Sequence, residues 1–432
     1  MFRALATHPT ANLKQLATTR AEQAAYSRLL NNDDTHLDHF IFGIVQDTYR
    51  QIRAQACPQL LILNDTTEVN LQAQVGYHQR HGLGVAGNNS DAGFFLHASL
   101  AFDPTAKVLI GCAALRVWTR KGGSEDRTDG EARKWFEVGE QLHQAKLSPE
   151  LTFVQDREGD IFALWQTVRQ SPHQLLTRAK QDRRIAMTRQ SPQGKLFADL
   201  AAQPVGGQYE LRITSDRQTN RTARTSVMET RWLSVLLLEP AVHRPKAQQV
   251  RVQAIEVREC AASVPVGQTP LVWILLTTHA VDCFQDALQM VQWYLYRWQI
   301  EDCFAALKTR GLDLEQSRLH HGQALMKLAV MTFWSATRLT ALVKGREDEI
   351  TNARAFFTAP ELACMDALCP ALEGQTRHQR NTYAPHSLAW AVWILARLGR
   401  GHGIGPPGIQ TIRAGLHTFE AVFLGWNIKQ QI

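Results

Sequence analysis

Two short, unbroken apolar runs, each closed by an aspartate, constrain this chain most. QLLILND occupies residues 59 to 65, and LTFVQD occupies residues 151 to 156. A continuous apolar run does not alternate between core and solvent, so it reads as a strand covered on both faces. Such strands belong to α/β sheets, whose chemistry collects beyond the carboxyl ends. Asp65 and Asp156 are expected at those ends, close enough to share a pocket despite their 91-residue separation. The plainer reading of either residue is a cap on the turn that follows.

Around these runs the texture changes in blocks. Residues 11 to 56 place apolar side chains three or four apart, the helical period. GFFLHASLAFD (93–103) and KVLIGCAALRVW (107–118) read as strands either side of the turn Asp103-Pro104-Thr105. Between about 175 and 280 the chain is β-rich, and from 285 onward it is helical, with HSLAWAVWILARLG (386–399) a further apolar helix. The expected fold is an α/β core interrupted by an all-β insertion, with helical N- and C-terminal parts.

Bulk properties narrow the function classes. The net charge of +7 and pI near 9.1 suit a polyanionic partner such as nucleic acid. Seven scattered cysteines without a C-x-x-C pair argue against a disulfide scaffold or zinc site. MFRALATHPTANLKQ lacks an apolar signal core, and runs such as LVWILL are too short to span a bilayer, so a soluble cytoplasmic protein is expected. Gly82-Leu-Gly-Val-Ala-Gly87 fits G-x-G-x-x-G, but with neither a strand before it nor a helix after it no nucleotide site is expected. His78 and His81 read as a solvated loop, His97 as a satisfied strand histidine, and Glu158 and Asp160 as supporting or helix-start residues, not ligands.

The third notable acid lies in YLYRWQIEDCFAALK. At about 100° per residue, Tyr294, Arg297, Glu301 and Lys308 form one polar stripe roughly 60° wide. Trp293, Tyr296, Ile300, Cys303, Phe304 and Leu307 gather on a core-facing arc beside it. The stripe is open to reading as a solvated face with helical ion pairs. Chemically, it offers one carboxylate for a metal and cations one and two turns away for phosphates. Two Mg²⁺ ions need several carboxylate oxygens, and a phosphodiester needs cationic grip as its charge grows.

The spacing Tyr-x2-Arg-x3-Glu-x6-Lys resembles the signature of the insertion-sequence IS-4 family of DDE transposases, the group that contains the Tn-5 transposase. LILNDTT resembles that family's first-aspartate block and FVQDREGDI its second, in the family's order, and the likeness runs from AAYSRLLNN to HSLAWAVWILARLG. The resemblance implies an RNase H-like catalytic core with a β-strand insertion before the glutamate helix. It implies a partial helical DNA-end-binding region over 1–50, a core over 51–170 and 285–345, the insertion over 171–284, and a helical dimerisation region over 346–432. Asp65, Asp156 and Glu301 are the implied catalytic residues and ligands of two Mg²⁺ or Mn²⁺ ions. Tyr294, Arg297, Lys308 and Arg178 are the implied phosphate contacts, and Trp298 follows Arg297 as in that family. Trp273 matches an aromatic residue that supports a flipped base, although in LVWILLTT it is equally an ordinary core residue. Arg212, Arg217, Arg221, Arg224 and Arg231 resemble the family's basic insertion strands, or else a basic sheet edge.

The implied activity is cut-and-paste transposition by a homodimer acting on transposon inverted-repeat ends and target DNA: strand cleavage, hairpin formation, hairpin opening and strand transfer. The sequence departs from the pattern near its start, where AAYSRLLNN arrives early and Ser27 replaces an arginine, and at Arg400, where the family has a second glycine. An alternative is therefore a shortened, non-transposing inhibitor that dimerises with a full-length transposase. A general metal-dependent nuclease is a third possibility, but it leaves the Tyr294, Arg297, Lys308 stripe without a purpose.

Overall fold

The computed structural model describes residues 1–8, 10–55, 57–74, 82–88, 90–120, 130–147, 150–187, 194–216, 221–240, 248–308, 312–401 and 406–431. His78 and His81 lie outside them. In chain order, four helices come first: α1 (Phe2–Thr7), α2 (Leu13–Leu16), α3 (Arg20–Asn31) and α4 (Leu37–Gln55). Strands β1 (Leu60–Asn70), β2 (Gly84–Val85), β3 (Ala92–Asp103) and β4 (Val108–Trp118) follow, then α5 (Gly130–Ala145) and β5 (Leu151–Gln155). Next are α6 (Phe162–Arg169), β6 (Gln174–Arg178), β7 (Arg184–Ala186), β8 (Gly194–Lys195) and α7 (Leu196–Ala201). The long strands β9 (Gly207–Ile213), β10 (Arg224–Leu238), β11 (Gln249–Glu259) and β12 (Val272–Thr277) complete the β-rich block. The chain finishes with α8 (Phe284–Tyr296), α9 (Trp298–Lys308), α10 (Gly322–Lys344), α11 (Ala359–Leu372), α12 (Leu388–Leu398) and α13 (Ile409–Gln431).

The fold is mixed α/β. Packing divides it into two units: Met1–Leu60, Asp65–Ser148 and Trp298–Ile432 form one, and Leu61–Asn64 with Pro149–Arg297 form the other. In the first unit, β3 pairs antiparallel with β4 from Phe95↔Trp118 to Asp103↔Val108. Its organiser is α10, apolar around nearly its whole circumference and buried from Gly322 to Leu342 among α1, α3, α4, α9, α13 and β4. Lys327, buried within that helix, donates to the carbonyls of Leu30 (3.1 Å) and Asn32 (2.9 Å), a cationic cap on the C-terminus of α3.

The second unit is built on a mostly antiparallel sheet. β5 and β6 are parallel, β6 pairs antiparallel with β12, and β12–β11–β10 continue antiparallel, with β9 and β7 both on β10. The parallel pair is bridged by α6, as a crossover requires.

Two local expectations are corrected. Asp65 does not end its strand, because β1 runs on through Thr66, Thr67 and Val69 to Asn70. The β-branched residues after the aspartate favour extended chain, and burial there alternates as in a half-covered strand. The glutamate helix is also not continuous. Arg297 separates α8 from α9, its N–H bonding the Tyr294 carbonyl at 3.1 Å in a tightened turn. Asp156, by contrast, directly follows β5 as expected. Among the described residues no helix is long and apolar enough to cross a membrane.

Candidate active site

Asp156 belongs to the second unit, where it leaves β5 and starts the 3-10 turn Arg157–Gly159. Its Oδ1 accepts from Glu158 N at 2.9 Å, so the turn-cap reading holds for that oxygen. Its carbonyl accepts from Thr177 Oγ1 at 2.5 Å, which ties the strand end to β6. Asp160 is not a ligand candidate. Its buried carboxylate takes bidentate bonds from Arg183 (2.8–3.1 Å), with Trp165 Nε1 and Lys180 N also donating.

Beside Asp156 the same unit gathers Arg178 from the end of β6 and Tyr294 from the last turn of α8, with Arg297 just beyond. Tyr294 and Arg297 are only 3% and 6% exposed, which removes the reading of a solvated helix face. The Tyr294 phenol bonds the guanidinium groups of both Arg178 and Arg297. Burial raises its pKa, against the pull of the two arginines, so the phenol is neutral near pH 7. Burial lowers the Arg178 pKa, and Arg157 and Arg297 push it further down by like-charge repulsion. Arg178 Nη2 also donates to the Val272 carbonyl at 3.3 Å, which fixes its plane against β12.

Chemically, the phenol oxygen accepts from two guanidinium groups, and its own proton remains to donate. Crowded cations beside a phenol donor make a receptor for an anionic oxygen, which would relieve their mutual repulsion. Trp273 is 8% exposed and its ring lies 6.3 Å from that of Tyr294, so it serves as packing here. Trp298, at the start of α9, is half exposed.

The first unit holds Asp65 and Glu301. Asp65 Oδ1 accepts from Thr66 N at 2.7 Å. The next side chain enters a buried chain of polar contacts: Lys134 Nζ donates to Thr66 Oγ1 at 2.8 Å, and that oxygen lies 2.9 Å from His97 Nδ1. The ring is also bonded by the Asp65 backbone and meets the edge of Trp135 at 4.6 Å. Burial, helped by the positive Lys134 and Arg116, pushes the His97 pKa down to about 3. His97 is satisfied on one side only, because Nε2 has no partner among the described residues. Glu301 lies half-buried in the first turn of α9, whose core side (Ile300, Cys303, Phe304, Leu307) is buried as the sequence implies. At the far end of α9, Lys308 Nζ is 3.8 Å from Glu315 Oε1, which also accepts from Asn70 N at 3.1 Å, so the ends of α9 and β1 share one acid.

As a donor set, three carboxylates suit a hard dication such as Mg²⁺. Among the described residues, no group of three or more His, Cys, Asp or Glu side chains is arranged to hold a metal ion.

The arginines of the β-rich block are largely engaged within their own sheet. Arg224 grips Glu259 with two bonds (2.7 and 2.8 Å) and Gln268 with a third. Arg231 pairs with Glu229 and Glu256, and Arg221 lies 3.8 Å from Asp216. Arg212 is exposed on β9, and Arg217 lies outside the described residues. Residue type alone gave no hint of the Thr66–His97–Lys134 chain, whose members come from three elements. Arg157 had a signal, since it directly follows Asp156 in VQDRE. No protein-family model matches the chain.

Proposed function

We propose that the chain is a DDE-type DNA transposase that cuts and rejoins phosphodiesters with a divalent metal pair held by Asp65, Asp156 and Glu301. The observation that carries this reading is the cluster beside Asp156. Arg178 stands more than a hundred residues before Tyr294 and Arg297 in sequence, yet its guanidinium and that of Arg297 both bond the Tyr294 phenol, an arrangement that suits a phosphate oxygen. The transposase-like spacing picks out Tyr294 and Arg297, and the resemblance adds Arg178, without reference to geometry. The chain order of β3 and β4, the parallel pair β5–β6, the long β9–β12 block and the glutamate helix also fits an RNase H-like core with a β insertion.

In this reading Arg178 and Arg297 hold non-bridging phosphate oxygens while Tyr294 donates its phenol proton to a third position. Lys308 adds a cation at the end of α9, and Trp298 offers a stacking face for an unpaired base. A bound pair of Mg²⁺ or Mn²⁺ ions supplies Lewis-acid polarisation of the phosphodiester and acidifies the attacking water or 3′-hydroxyl. The protein would work in the cytoplasm on nucleoid DNA, as a homodimer joined through residues 346–432.

The test is cleavage of a duplex that carries the element's inverted repeat. Wild type nicks it in Mg²⁺, while Glu301→Gln binds it with similar affinity and does not cut. Undiminished cutting by the variant would remove Glu301 from the chemistry.

A further inference from the structure

We infer that a cleft in the first unit, built wholly from residues after Trp298, is a second polyanion site that takes the phosphodiester backbone of DNA. The cleft has a volume of about 930 Å³. Its wall carries Arg346, Arg377, Arg380, Arg397 and Arg400, with Glu347 as the one carboxylate, so cations outnumber acids five to one.

The five arginines are not spent on one another's neighbours. Arg346 Nε lies a loose 3.6 Å from Glu347. Arg397 is pre-positioned: Nε donates to the Leu372 carbonyl at the end of α11 (3.2 Å), Nη1 to Gly401 O (3.3 Å), and the guanidinium sits 5.8 Å from the Trp393 ring centre. Arg377, Arg380 and Arg400 are exposed and have no carboxylate partner among the described residues. Such a surface repels itself until a polyanion arrives.

Arg400 adds an independent observation. It follows α12 with φ of 63°, the left-handed region that suits glycine and strains a longer side chain. The left-handed turn itself closes α12, with Gly401 N–H on the Ala396 carbonyl at 2.7 Å. Glycine fills such a position without strain, so the turn does not call for an arginine, and the side chain that stands there lines the cleft. A long polyanion fits better than a small one. Exposed guanidinium groups on separate segments gain most from counterion release along a backbone, whereas a single phosphate would have to order several long side chains alone.

The experiment measures binding of the full chain to a nonspecific 20-base-pair duplex across a salt series, without divalent ions, beside adenosine triphosphate and polyglutamate as probes. Arg377→Gln/Arg380→Gln/Arg400→Gly should lower the salt slope by about three units, one per lost phosphate contact. Arg400→Gly alone should weaken binding while its melting temperature stays level or rises, because glycine relieves the left-handed backbone; a folding defect would do the opposite. A triple variant with the wild-type slope overturns the cleft and leaves the catalytic reading untouched, since that reading is scored by Mg²⁺-dependent cutting. So does a variant that loses affinity only for polyglutamate or only for the nucleotide. Wild-type protein with no affinity for DNA overturns both.

Discussion

Tyr294 and His97 are ordinary residue types made unusual by where the chain buries them. Tyr294 becomes a pure donor because two guanidinium groups occupy its oxygen. His97 is held neutral by burial beside a buried lysine, and this has a measurable consequence. Unfolded, its pKa returns to about 6.5. Between that value and about 3, the unfolded chain carries a proton that the folded chain refuses, so stability falls as pH falls. From pH 7 to pH 5 the loss from this one group is about 2 kcal/mol. His97→Gln retains a polar partner for Thr66 and removes the titration. Urea unfolding at the two pH values should therefore show a smaller loss for the variant, and parallel losses would mean that His97 is protonated inside the fold. Neither residue's state was legible from sequence. A helical wheel gives the angle of Tyr294 but not what covers it, and FFLHAS says nothing of the lysine that α5 brings to the ring.

Among the elements, the strands and most helices were readable because their signals are local. β3 and β4 lie either side of the Asp103-Pro104-Thr105 turn, where their apolar runs put them, and α12 covers the apolar run 388–398. What failed was either a boundary or a pairing. β1 outran its aspartate because the residues that follow are themselves strand formers. The arginine series in β9 and β10 suggested an open basic surface, yet Arg224 is engaged by Glu259 from β11, 35 residues away, through a register that no spacing rule supplies. That pair makes a test of how the β block is held. The Glu259 side chain is fully buried, and Arg224 is 11% exposed. Burial opposes ionisation of Glu259, but bonds from Arg224, Ser226 and the Leu271 N–H together hold its pKa down at about 2. Arg224→Met alone leaves a buried carboxylate without its cation and should cost about 3–5 kcal/mol. Arg224→Met/Glu259→Leu should recover most of that loss in chemical denaturation. A double variant as unstable as the single one would show that the arginine stem, not its charge, holds β10 to β11.

For the molecule as a whole, the order of helical and β-rich blocks was legible in the sequence, and so was the strand end at Asp156, though not the one at Asp65. The resemblance places a boundary near residue 171, whereas packing groups all of Pro149–Arg297, β5 and β6 included, with Leu61–Asn64. Asp156 therefore travels with Arg178 and Tyr294, and Asp65 with Glu301. The central claim is that these three acids act as one metal site on DNA. Its most direct test is Mn²⁺ binding to the full chain in the presence of inverted-repeat duplex, followed by electron paramagnetic resonance, for wild type and for Asp65→Asn, Asp156→Asn and Glu301→Gln. The account predicts two bound ions per chain and a spin-coupled signal that each single substitution abolishes. A coupled two-ion signal that survives any one of the three substitutions would contradict it.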